Sequence, residues 1–326
     1  MQEIKRINGY LSLDNYFSNK LGKKYFTDKE LIESGLVEFD YSDRFWILSD
    51  KETKIALFKE QNNSYDEAYV ELFAEEIAKI IGIKTAHYDL AIFRGRKGVI
   101  SYNFINENDS YYSGYEIISK FVEETLEDNL ELSDLYGVDS EEDPIYACEQ
   151  LNNLEDIWAI LEIIYKDNPN KEQIVFRIVD GLVDKLIFDI IVGNLDDHAE
   201  NWGILNDNLA PVFDNGKILN IHSNLFLKDY FDSSSLEKVN LRFTVDSSDC
   251  KKALEVVKYF LNISSSEYKD RIINKINVLK QNMEYIPNII EKRTEQVMPD
   301  YLKKYFITTT LVNIDIIDEI VNNKTK

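Results

Sequence analysis

Gly193-Asn194-Leu195-Asp196-Asp197-His198-Ala199-Glu200-Asn201-Trp202-Gly203-Ile204-Leu205, followed by Ala210-Pro211-Val212-Phe213-Asp214-Asn215-Gly216, is the stretch that decides how this chain folds. Ahead of it, Ile174, Val175, Ile178, Val179, Leu182, Val183, Leu186, Ile187, Ile190 and Ile191 recur at helical spacing. That pattern predicts a long, buried helix over 172–193, stopped at Gly193-Asn194. A short polar loop follows. Two apolar runs, Trp202–Leu205 and Leu209–Phe213, are then separated by Asn206-Asp207-Asn208, which reads as a β-hairpin with an Asx-rich turn. With the turn centred between Asp207 and Asn208, Asn201 and Asp214 face each other at the open end, and Asp196 sits in the loop above them. A plain helix-to-hairpin loop also uses Asp and Asn, as caps and turn formers. Three such groups held between a buried helix and a hairpin favour a converging acidic site over that blander reading.

Two hard oxygen donors side by side suit Mg²⁺, which takes few protein ligands and leaves room for phosphates. Phosphoryl transfer needs one carboxylate to orient the accepting hydroxyl and an Asn/Asp pair to hold the metal on the nucleotide. The five-residue step from Asp196 to Asn201 is the step inside the protein-kinase catalytic loop. The same chemistry asks for a strand lysine on the phosphates, steadied by a glutamate of the next helix. Lys59 ends an apolar strand, and the helix after it offers Glu67, Glu71, Glu75 and Glu76. Glu71 flanks the apolar stripe and can point toward the sheet. Alone, Lys59 would read as a solvated strand end; beside the 196–214 site it becomes the candidate phosphate lysine.

Composition bounds the alternatives. The 326 residues suffice for one large domain or two lobes with a sizeable core. Apolar runs are broken by charges well short of ~18 residues, so no transmembrane helix is expected. Met1–Tyr10 has no signal-peptide apolar region, and two cysteines, Cys148 and Cys250, make no disulfide framework. A cytoplasmic protein is the expectation, with export as an effector left open. A balance of 37 basic against 59 acidic side chains, net −22, opposes direct binding to nucleic acid. Three histidines, His87, His198 and His222, lack metal spacing, so the residues themselves give His198 a structural hydrogen-bonding role rather than zinc ligation. The cysteines read as buried small hydrophobes, and Trp202 as core.

Along the chain, Thr27-Asp-Lys-Glu30 looks like a capping box opening a short helix. Phe45–Lys59 reads as a hairpin and 66–81 as a helix stopped at Gly82. Strands at 87–93 and 99–104 are joined by Arg94–Gly98. Between Glu123 and Asp143 lie ten carboxylates and no Lys or Arg, an exposed acidic segment. Helix candidates follow at 155–165, 172–193, 250–262, 266–284, 286–306 and 310–322. The expected division is 1–44 as an N-terminal extension, 45–105 as a nucleotide-binding sheet plus helix, 106–150 as an acidic connection, and 151–326 as a helical lobe carrying the catalytic loop and metal-binding hairpin.

Asn194-Leu-Asp196-Asp-His198-Ala-Glu-Asn201-Trp-Gly, Ala210-Pro-Val-Phe-Asp214, and the earlier Glu71, Leu72, Ala78 and Gly82-Ile83 resemble the HipA-type serine/threonine kinases, most closely their short members, over roughly residues 45–220. The resemblance implies an α+β, bilobal protein-kinase-like fold with a small β-rich N-lobe and a larger, mainly helical C-lobe. It implies ATP and Mg²⁺ as cofactors, Asp196 as catalytic base with His198 on the family's motif histidine, and Asn201 and Asp214 as metal ligands. Lys59 becomes the nucleotide-phosphate lysine, with Glu71 its ion-pair partner. It further implies transfer to a Ser or Thr hydroxyl of a protein substrate, the protein itself included, and a toxin–antitoxin setting with an antitoxin-like partner; from charge and apolar run length, no nucleic acid is expected to bind directly and no membrane partner is expected. One departure stands out: Ser49-Asp-Lys-Glu-Thr53 occupies the place of a Gly-rich phosphate loop, and Ser49 and Thr53 are candidate self-modification sites. A small-molecule or lipid kinase, or a nucleotide-binding pseudokinase acting as an interaction protein, are the competing readings.

Overall fold

The structure is a computed structural model that describes residues 5–41, 43–49, 53–61, 67–123, 148–194, 196–220, 241–245, 252–263 and 265–323. Most of the acidic run between Glu123 and Asp143, together with His222 and Cys250, lies outside the described residues. The chain divides into two compact units, the first made of residues 1–107 and 281–307, the second of 108–280 and 308–326.

The first unit is built on a seven-stranded sheet, and it begins earlier than the hydrophobic pattern announces. β1 (Arg6–Ile7) and β2 (Tyr10–Ser12) form a tight hairpin whose turn, Asn8-Gly9, takes positive φ at both residues. Ser12 then caps α1 (Leu13–Leu21), and the expected capping box of Thr27 and Glu30 opens α2 (Asp28–Glu33). β3 (Val37–Tyr41), β4 (Arg44–Leu48) and β5 (Lys54–Glu60) form a meander with Phe45 opposite Phe58. α3 (Glu67–Ile80) follows, then β6 (Tyr88–Phe93) and β7 (Arg96–Tyr102). The sheet order is β1-β2-β6-β7-β5-β4-β3, with β2 and β6 the parallel pair. Phe17, Phe45, Phe58 and Phe93 interlock on one face beneath Leu13, Leu31 and Ile47, with ring centroids 4.9–6.3 Å apart. The connection expected over Arg94–Gly98 is a two-residue turn, because Arg94 and Gly95 both adopt positive φ and β7 starts at Arg96.

In the second unit, the stretch expected to be a connection opens with β8 (Tyr111–Ser113) and α4 (Gly114–Phe121), the latter started by a Ser113–Glu116 capping box. α5 (Leu154–Ile164) and α6 (Lys171–Val192) match their sequence signals, and α6 is the buried helix expected, ending at Gly193 with φ 58°. β9 (Gly203–Leu205) and β10 (Asn208–Leu209) form the expected hairpin, extended by β8 into a three-stranded sheet. Its centre is one residue earlier than expected. Leu205 pairs with Asn208 and Ile204 with Leu209, so the turn is Asn206-Asp207, at φ 50° and 57°. A two-residue hairpin turn requires positive φ at both positions, which Asn and Asp tolerate, while the Asn208 side chain donates back to the Asn206 carbonyl at 2.6 Å. α7 (Ala253–Ile263) and α8 (Ser266–Asn282) complete the region.

The C-terminal segment departs from the expected 286–306 and 310–322. α9 (Ile286–Thr294) stops at Glu295, which adopts φ 56°, and α10 (Asp300–Asn323) starts after Pro299 and runs unbroken through Thr308-Thr309-Thr310. Proline disfavours helix at the residue before it and suits the position just ahead of a helix, so the break falls there rather than at the threonines. α9 packs on α3 within the first unit, and Phe306 lies 4.5 Å from Phe73. No described helix is long and apolar enough to cross a membrane.

Candidate functional site

The loop after α6 is held from below by a buried polar lattice. Gly193 turns the chain, and Asn194 follows with its backbone N–H on the Asp189 carbonyl at 2.9 Å. The Asn194 amide donates to Asp189 Oδ1 at 2.9 Å, while its Oδ1 accepts the Asp196 N–H at 3.2 Å, an Asx turn that sets the direction of Asp196. Asp189 is paired through Oδ2 with Lys185 Nζ at 2.5 Å, both wholly buried. Asp197 points inward and is fully buried, its Oδ1 accepting the Arg242 N–H at 2.6 Å. Burial, and next the Asp189 charge, raise the Asp197 carboxyl well above its ordinary range, with Lys185 opposing. The Asp197 carbonyl accepts from Asn152 at 3.1 Å, and Asn152 Oδ1 in turn receives the Trp202 indole N–H at 2.9 Å. Trp202 is core, as expected, edge-on to Phe243 and with its carbonyl accepting the Gly114 N–H at 2.8 Å.

Asp196 stands on top of this lattice. Its Oδ2 lies 2.5 Å from Lys217 Nζ and its Oδ1 3.8 Å from His198 Nε2. Its carbonyl accepts the side-chain amide of Asn201, which lies five residues on in a single 3-10 turn over Ala199–Asn201. His198 caps that turn, its Nδ1 accepting the Glu200 N–H at 3.3 Å. Asp196, His198 and Asn201 are therefore brought together in one short loop. Asp214 is half-buried with φ 54°, a backbone state a non-glycine residue enters only when its surroundings impose it. The observed hairpin register, continued outward, sets Asn201 level with Val212 rather than Asp214. The expectation that Asn201 and Asp214 sit opposite one another as the two feet of the ribbon is thus corrected: Asn201 belongs to the 3-10 turn, and the pairing centre is displaced by one residue.

The donor chemistry fits a hard cation that also carries phosphate. With its amide nitrogen engaged, Asn201 has Oδ1 as the end suited to ligation, and Asp214 offers a carboxylate. Among the described residues no group of three or more His, Cys, Asp or Glu is arranged to hold a metal by itself.

The other two expected residues lie in the first unit. Lys59 is near the end of β5, half-buried, its backbone paired with Val99 on β7 and Arg44 on β4. Glu71 is buried on α3, one turn ahead of Glu75. Ser49 and Thr53 are joined by Ser49 N–H to the Thr53 carbonyl at 2.8 Å and Thr53 N–H to Ser49 Oγ at 3.2 Å. Cys148 is buried as expected, its thiol pushed up by burial.

Sequence reasoning missed Lys217, Asn194, Asn152 and the Lys185–Asp189 pair. The last had a legible signal: two opposite charges at i, i+4 in the apolar C-terminal half of the helix. Lys217 directly follows Asp214-Asn-Gly, as the first cation after the metal motif.

No protein-family model matches the chain, and no curated protein matches it by sequence. Solved structures do. The chain is similar to the Helicobacter pylori proinflammatory kinase CtkA, with a TM-score of 0.59 and 17% identity over 88% of this chain and 96% of that one. It also aligns with HipA from Shewanella oneidensis MR-1, solved with HipB and operator DNA, at a TM-score of 0.48 and 13% identity, covering 94% of this chain and 72% of that one. The chain therefore has the kinase-like fold of CtkA, β-rich in its N-terminal part and helical in its C-terminal part, and the expected fold class holds.

Proposed function

We propose that this chain is an ATP- and Mg²⁺-dependent kinase of the HipA type that transfers the γ-phosphoryl group to a Ser or Thr hydroxyl of a protein. The observation that carries the reading is the Asp196 loop: a carboxylate residue whose backbone N–H is held by Asn194 Oδ1, with Asn201 five residues on bonded to its carbonyl. On this reading Asp196 orients the acceptor hydroxyl and takes its proton. Asn201 and Asp214 would hold Mg²⁺, which offsets charge on the nucleotide phosphates when bound. Lys59 supplies a protein cation for the phosphates, and Glu71 steadies it. His198 caps the turn that presents Asn201 and contributes through that placement. An antitoxin-like protein is the partner this reading allows, and the fold likeness to CtkA supports the kinase assignment without deciding the acceptor.

Incubation of the purified protein with radiolabelled Mg·ATP, alone and with a basic protein acceptor, tests the assignment. Transfer is expected in the wild type. It falls by at least about 10²-fold in Asp196→Asn, the usual contribution of a positioned base, and also falls steeply in Asp214→Asn through loss of a metal ligand, while folding is retained. Undiminished transfer in both variants would refute it.

A further inference from the structure

We propose that Lys217 is a further catalytic residue: an ammonium seated on Asp196 that faces the phosphoryl group during transfer. The inference deepens the phosphoryl-transfer reading and rests on it. Lys217 Nζ lies 2.5 Å from Asp196 Oδ2. The Lys217 side chain is 48% exposed, whereas that of Asp196 is 13% exposed. The ammonium thus reaches in from solvent to the carboxylate of a residue whose backbone N–H and carbonyl the loop already holds through Asn194 and Asn201. Such half-exposed pairs contribute little to stability, and the loop does not need this one for its shape.

Chemistry gives the pair a purpose. As the acceptor O–H passes its proton to Asp196, its oxygen forms the new bond to the γ-phosphorus. The bond from that phosphorus to the leaving oxygen breaks, its electron pair departing on ADP. Negative charge persists on the three equatorial oxygens throughout, and fixed cations beside them lower the barrier. An ammonium has three donors. One held by Asp196 Oδ2 leaves two for phosphoryl oxygens, and any hydroxyl bonded to Asp196 lies within the same few ångströms. The carboxylate is also asymmetric: Oδ2 is engaged by Lys217 at 2.5 Å, and Oδ1 has His198 Nε2 at 3.8 Å. Oδ1 is therefore the oxygen available to take the proton.

The test compares initial rates of phosphate transfer from Mg·ATP, with the protein itself and core histones as acceptors, for wild type, Asp196→Asn, Lys217→Met and Lys217→Arg. Lys217→Met is expected to lower kcat about 10²-fold, the scale for losing one charge-stabilising donor, with KM for ATP within about threefold of wild type. Lys217→Arg, which keeps the charge, recovers part of the loss. An active wild type, an inactive Asp196→Asn and an undiminished or faster Lys217→Met would overturn the Lys217 proposal alone. A loss confined to KM would overturn it too, because the cation would then act on ground-state binding only. A wild type that transfers nothing would remove the kinase reading and this proposal with it.

Discussion

Replacing Arg293 by Gln should loosen α3 from α9 in a way that depends on pH. Glu75 of α3 is wholly buried, yet its carboxylate gathers three basic groups: His87 Nδ1 at 2.7 Å, Lys79 Nζ at 2.7 Å and Arg293 Nη2 at 2.9 Å. The Tyr88 N–H adds a bond at 3.2 Å, and Arg293 Nη1 donates to the neighbouring Glu76 at 2.8 Å. Burial pushes the Glu75 carboxyl upward, but the His87 bond, the Arg293 charge and Lys79 together overcome it and hold the group at about 2, against an ordinary 4.5. A lowered folded-state value means the anion favours the fold. Its contribution is complete above pH 4.5 and is lost as pH falls toward 2, amounting to about 3 kcal/mol. Arg293→Gln breaks a buried pair, which costs roughly 3–5 kcal/mol; Lys79 and His87 remain in place, so the lower end applies. Urea unfolding at pH 7 should show a gap of about 3 kcal/mol between wild type and variant. The gap should narrow progressively below pH 4.5, because the variant, with only Lys79 and His87 beside Glu75, has less of that stabilisation to lose. A gap that stays constant from pH 7 to pH 3 would refute the electrostatic account and leave lost packing as the cause.

Two further changes test the support of the loop. A Cβ at Gly114 would overlap the Trp202 ring and come within 2.6 Å of the Ala199 carbonyl; Gly114→Ala should therefore cost about 1–3 kcal/mol by overpacking, seen as a lowered Tm, and an unchanged Tm would contradict that packing. Lys185→Met should cost about 3–5 kcal/mol by stranding Asp189, whereas Lys185→Met with Asp189→Leu should recover most of that stability and still lose transfer, since Asn194 would have no acceptor for its amide; the paired variant transferring at the wild-type rate would show that the lattice does not set the loop.

Periodicity carried the long elements well and the short ones poorly. α6 was legible because ten apolar residues recur at one spacing and Gly193 supplies a stop. β4 and β5 were legible because aromatic and branched residues flank a polar turn. β1 and β2 span two and three residues, too few for any period, and exist because β6 offers an edge on which β2 can pair. β8 is equally short and is recruited by β9. The expected break between 306 and 310 falls instead at Glu295–Pro299, and Thr310, wholly buried, lies inside α10.

The site divides in the same way. Asp196, Asn201 and Asp214 stand out in sequence as residue types at the spacing that phosphoryl transfer would need, and the structure brings Asp196 and Asn201 into one loop. Their support was not legible, since it is assembled from positions far apart in sequence: Asn152 reaches the Asp197 carbonyl, and Arg242 closes on the Asp197 carboxylate. The hairpin error shows how the difference arises. A turn centre set one residue late alters every facing pair beyond it, so an argument that placed Asn201 by strand register had to fail once the turn closed on Asn206-Asp207. The side chain is placed instead by a local bond to the Asp196 carbonyl, which does not depend on the hairpin. Spacing within the loop, not pairing across the ribbon, is therefore the signal that carried information, and it is short-range because the bond that joins Asn201 to the Asp196 carbonyl spans five residues.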